Sequence, residues 1–223
     1  MDPFRLCLAL GPVAVYLLLL GGINLARRPF VIPGSRDTAA LGLALAGLVA
    51  IGPVELFFPH AAAARFGAFV WLFLLIFYAL CMVLVLLLLR PRLVIYNVSI
   101  DELRPILADL VPQLDADARW AGDGLILPNM GIQLHMENLP ALRNVSLVAT
   151  GARQNYLGWK RLELSLRAAL VASEIPRNIR AARLIAAAFL GAGTLIALVL
   201  FLSVAVDPQA VARALFDMLR LKR

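Results

Sequence analysis

Charged and uncharged residues separate along this chain into long blocks. Four runs carry no charge: Leu6–Ala26, Thr38–Val54, Phe66–Leu89 and Leu184–Val206, of 21, 17, 24 and 23 residues. A helix rises about 1.5 Å per residue, so ~20 residues cross the roughly 30 Å of hydrocarbon in a bilayer. In hydrocarbon, backbone amides and carbonyls find partners only within their own segment, so each run reads as a helix. The pattern predicts a multi-pass α-helical membrane protein with four transmembrane helices, near 6–26, 38–58, 66–89 and 184–206. The second run spans about 26 Å to Val54 and reaches full length only by continuing to Phe58. That extension puts Glu55 about one turn inside the edge of the span. Pro53 takes away the helical partner of the Val49 carbonyl, which predicts a bend or a local widening there.

Between the third and fourth runs the period changes. Leu93–Val98 is rich in β-branched and aromatic residues, as strands are. Ser99 and Glu102 have the spacing of a capping box, ahead of a helical pattern through Ile100, Leu103, Leu107, Leu110 and Leu114. Pro105 predicts a kink or a late start for that helix, and Pro112 the end of its regular part. Glycine-containing turns at Gly122–Gly124 and Asn129–Gly131 then separate short apolar runs, the mark of hairpins. From Ile132 to Glu137 apolar and polar residues alternate, so one strand face is buried. Asn144–Thr150 reads as a further strand, and Tyr156–Val171 as a helix with Trp159, Leu162, Leu166 and Leu170 on one stripe. The expected unit is a small α+β domain at 91–176, in the order β-α-β-β-β-β-α with an antiparallel sheet, inserted between the third and fourth helices. Residues 207–223 predict an amphipathic C-terminal helix, started by Asp207 and Pro208, with Arg213 and Arg220 on its polar side.

Composition agrees: 62% of residues are hydrophobic and the mean hydropathy is +0.86. Asn24, Arg27 and Arg28 follow the first run where a leader would carry a cleavage site, so that run is expected to be a retained helix. The net charge of +7 does not point to nucleic acid, because Pro91–Ala182 holds ten basic against nine acidic residues. The excess lies at the ends of the runs, where it faces the lipid bilayer and sets orientation.

Little chemistry stands out. Cys7 and Cys81 each lie inside a predicted span, so no disulfide framework is expected, nor any metal site or cofactor. Glu55, with His60 and Arg65 after it, reads either as an interfacial carboxylate or as a proton- or cation-binding group. His135, between Gln133 and Glu137, reads either as a solvated strand residue or as a general base. Leu157, Leu164 and Val171, seven apart, form a second apolar stripe on the last domain helix. The glycine-containing stretches match no phosphate-binding, hydrolase or metalloprotease motif.

These features favour a membrane-anchored protein-interaction or scaffold module, with a protein partner or a homo-oligomer expected. The alternatives are an accessory subunit of a transporter or channel using Glu55, and a membrane enzyme using His135 or Glu55. Four spans put both termini on one side and the domain on the other. Eight basic residues near the span ends fall on the domain side and six on the terminal side, which favours a cytosolic domain in a bacterial cytoplasmic membrane. A compartment reporter fused after Arg223 is then expected to signal from the non-cytosolic side; a cytosolic signal reverses the assignment.

Overall fold

The structure, a computed structural model, describes residues 3–25, 29–54, 56, 59, 65–67, 69–139, 144–152, 154–172, 179–206, 208–209 and 213. Its elements are α1 (Pro3–Leu25), β1 (Phe30–Pro33), α2 (Gly34–Val49), α3 (Phe69–Leu88), β2 (Arg92–Tyr96), α4 (Ile100–Leu114), β3 (Arg119–Ala121), β4 (Gly124–Leu127), β5 (Ile132–Leu139), β6 (Asn144–Ala149), α5 (Tyr156–Ala172) and α6 (Ile179–Val206). They divide into two compact units. One comprises Met1–Leu20, Ala39–Leu88 and Ala188–Arg223; the other comprises Gly21–Thr38 and Leu89–Ala187.

Four helices are long and apolar enough to cross a membrane: Pro3–Leu25, Gly34–Pro53, Phe69–Leu88 and Arg183–Val206. The second differs from its expected bounds. It begins at Gly34 rather than Thr38, so it gains length at its N-terminal end and takes Arg36 and Asp37 into its first turn. At the other end Ala50–Val54 forms a π-helical turn around Pro53, the local widening that the missing amide predicts.

In the helical unit Gly47 of α2 and Gly193 of α6 both sit against α1, while Gly42 of α2 sits against Met82 of α3. A Cβ on Gly47 would collide with the Leu8 carbonyl, and one on Gly193 would meet the Leu18 side chain and, at 3.1 Å, the Ala14 carbonyl. Both helices therefore approach α1 closely at a glycine. Tyr78 of α3 donates to the Gly42 carbonyl of α2 at 2.6 Å. Along α3 most of the large side chains are exposed, among them Phe73, Leu75, Phe77, Leu80 and Leu87, while Val70 is buried.

The second unit is a six-stranded antiparallel sheet in the order β1-β2-β6-β5-β4-β3. Five of its strands and both helices follow the expected order. The sixth strand, β1, comes from between α1 and α2, and its pairing with β2 corrects the expectation of a sheet built only between the third and fourth helices. On one face Val31, Ile95, Leu147, Leu134 and Leu125 share a core with Leu103 and Leu107 of α4 and with Trp159, Leu162 and Leu166 of α5. Glu102 accepts from the Ser99 amide at 2.8 Å, as a capping box requires. α4 starts at Ile100, so Pro105 causes no late start, and contrary to expectation it runs through Pro112 to Leu114. Core burial of Leu107 and Val111 outweighs the lost backbone bonds.

Asp115 ends α4 and is 3% exposed. Its carboxylate accepts from the Asp117 amide at 3.0 Å, the Asn129 amide and side chain at 2.8 Å each, and the Met130 amide at 3.3 Å. These bonds tie the end of α4 to the β4–β5 turn. Burial pushes the Asp115 carboxyl up, but the hydrogen bonds outweigh it and hold the group below its ordinary value.

Two predictions follow from this packing. Gly47→Ala is expected to destabilise the protein by about 1–3 kcal/mol, because two helix backbones must separate. Gly191→Ala, which meets nothing within 4 Å, is the control expected to be neutral or stabilising in the same detergent melting experiment. The Asp115 pKa is lowered on folding, so its stabilisation is present above the unfolded carboxyl value of about 3.9 and is lost as pH falls through the folded value. Asp115→Asn should therefore melt below the wild type at pH 7, with the gap closing in acid; a gap that persists at the lowest pH contradicts the assignment.

Candidate functional site

The domain helix α5 has two apolar faces. The inner one, Trp159, Leu162, Leu166 and Leu170, is buried in the core as its stripe predicts. The outer one carries Tyr156, Leu157, Leu164 and Val171, exposed by 77, 69, 56 and 57%. The seven-residue spacing of the last three keeps them on one side of the helix. Basic side chains flank them: Lys160 and Arg161 are exposed, and Arg167 is bonded to Glu163 at 3.0 Å. A helix needs only one apolar stripe to hold its place in a core. The second stripe leaves a ridge of apolar side chains uncovered by the rest of the domain, the kind of surface that marks an interaction site. An amphipathic ridge of this type fits a groove on another protein.

A second constellation was not visible in the sequence. In the first turn of α2, Asp37 accepts from the Tyr96 hydroxyl of β2 and from Arg92 at 3.5 Å. Arg92 also donates to the Thr38 hydroxyl at 3.0 Å. Its stem lies against Gly34, where a Cβ would collide with the Arg92 side chain. By register, Tyr96 is opposite Asn144 and Val94 opposite Ser146, and all four are buried. The sheet is thus covered on its second face too at β2 and β6, with polar groups in that layer. Asp37 was legible only as an acid at the start of an apolar run. Its partners lie more than fifty residues away, which no local pattern reports.

His135 is exposed on β5, on the sheet face away from α4 and α5, since Leu134 and Met136 on either side point into the core. Its cross-strand neighbours are Gly124 and Val148, neither an acid nor a base. Gln133 and Glu137 share its face, as expected, and the Gln133 carbonyl accepts from Gln154 at 3.0 Å. No group of three or more His, Cys, Asp or Glu that could hold a metal occurs among the described residues. Glu55, His60 and Arg220 lie outside the described residues, as does most of the C-terminal segment. Arg213 is exposed, and its guanidinium donates to the Gln209 carbonyl at 3.3 Å.

No protein-family model, curated protein or solved structure matches this chain.

Proposed function

We propose that the protein is a membrane-anchored interaction module. In this reading the four long apolar helices span the bilayer and hold the α+β domain at its surface, where the outer face of α5 docks another protein. The observation that carries it is the exposed ridge of Leu157, Leu164 and Val171 on a helix whose opposite stripe already fills the core. The exposed apolar side chains of α3 fit contact with lipid. The shared ladder of β1 and β2 supports the topology. β1 and β2–β6 form one sheet, so in this reading they share one side of the membrane. Single crossings by α1 and α6 then leave both termini on the opposite side.

The test uses the tagged full-length chain purified from native membranes, as wild type and as Leu164→Asp. Leu164 is more than half exposed, so an aspartate there stays solvated and the melting temperature should not move. A partner recovered in stoichiometric amount with the wild type and lost with the variant is the expected result. Equal recovery with both removes α5 as the docking face. Recovery of no partner by either removes the interaction reading itself.

A further inference from the structure

The strand β1 is held differently from the others. It is four residues long, begins after Pro29 and ends on Pro33, and so lacks an amide at its last position. Only Val31 is fully buried; Phe30 is 47% exposed. It pairs on one side only, with β2. On its outer side Arg167 of α5 donates to the Val31 carbonyl at 3.1 Å, braced by Glu163. At its exit into α2, Asp37 is tied to Tyr96 and Arg92. Both ties are made by side chains within reach of water: the Asp37, Arg92 and Arg167 side chains are 21, 34 and 47% exposed. Solvent-accessible ion pairs contribute little each and reform readily. Short segments with few buried contacts open by themselves, at far lower cost than the core.

We propose that β1 is a releasable strap, latched by Arg167 on its outer edge and by Asp37 at its exit, that opens separately from β2–β6 and uncovers the edge of β2. The uncovered edge carries Leu93, Val94 and Ile95, all buried while the strap is closed. Backbone groups in a row with apolar side chains on both faces suit an added extended segment. The chemistry that fits is that of β1 itself, a short apolar strand without charge between its prolines. The strap thus offers a second binding mode, distinct from the ridge on α5 although Arg167 borders both.

Hydrogen exchange of the full-length protein in lipid nanodiscs tests this, comparing peptides over residues 29–38 with peptides over β5. In the wild type, β1 should exchange well ahead of β5. Asp37→Ala and Arg167→Gln should each speed exchange of β1 by roughly tenfold, the weight of one hydrogen bond to a charged group, and leave β5 unchanged. Tyr96→Phe removes a single hydroxyl from the same latch and serves if Asp37→Ala folds poorly. A fluorescent synthetic peptide of residues 29–38, added in trans, should bind these variants more tightly than the wild type. Equal exchange of β1 in variants and wild type overturns the strap. So does a speeding of β5 in step with β1, which means the whole sheet has loosened. Faster β1 exchange with no gain in peptide binding overturns the claim that the β2 edge becomes available.

Discussion

The pairing of β1 with β2 constrains everything else in this chain. Four residues between the first two long helices hydrogen-bond to a strand that follows the third, with Val31 set against Ile95 and Ile32 against Val94. A ladder has to be made where both strands are. The chain between Pro33 and Arg92 must therefore return to the place it left, whatever it crosses on the way. In the proposed topology the long apolar helices Gly34–Pro53 and Phe69–Leu88 do this with one crossing each. One crossing, or three, cannot.

That pairing also explains why the sheet is buried on both faces near one edge. On the helix side, β2 gives Leu93 and Ile95 to the same core as Leu103 and Leu162. On the other side it gives Arg92, Val94 and Tyr96, and there the start of α2 meets it through Asp37. Strands buried on both faces read as continuous apolar runs rather than as alternations. The run Leu93–Tyr96 is of that kind, whereas Ile132–Glu137, solvated on one side, alternates. The difference between the two patterns reports the difference in cover. In the covered layer Asp37 pairs with Arg92 and accepts from the Tyr96 hydroxyl, which offsets much of the cost of burying these groups, although the Arg92 Nε has no hydrogen-bond partner among the described residues.

Much of the fold was legible because it rests on local periodicity. The four uncharged runs, the capping box at Ser99, the hairpin turns and the Trp159 stripe each express one element's own spacing, and the structure holds each of them. The elements that were not legible depend on partners far along the chain. β1 is too short and too rich in proline to show a period of two, and it is a strand only because β2 is beside it. The early start of α2 at Gly34 is unreadable for the same reason: Arg36 and Asp37 look like a loop until Arg92 and Tyr96 are placed next to them. Pro112 looked like a helix end because propensity argues so, but packing of Val111 into the core overrides it. Of the candidate site, the outer stripe of α5 was visible as two stripes on one helix. The anchoring role of Asp115 was not, since its partners sit on a turn that the sequence marks only as a turn.

The ladder also changes how the charges bear on orientation. By counting alone, eight basic residues against six separate the two sides, and several of the eight could have been assigned independently. They are not independent. Arg27 and Arg28 precede β1 in sequence and Arg92 opens β2, so in the proposed topology the three are counted together. Arg177, Arg180 and Arg183 come after α5 in sequence, whose Arg167 reaches Val31, so in the proposed topology they are counted with them. Orientation therefore reduces to a single choice, made for both polar segments together. Arg92 is a poor contributor to that choice, since its charge is held by Asp37. In the positive-inside rule, the basic residues that flank α1 and α6 in sequence then weigh more than Arg92, since the rule counts residues close to the ends of the apolar runs.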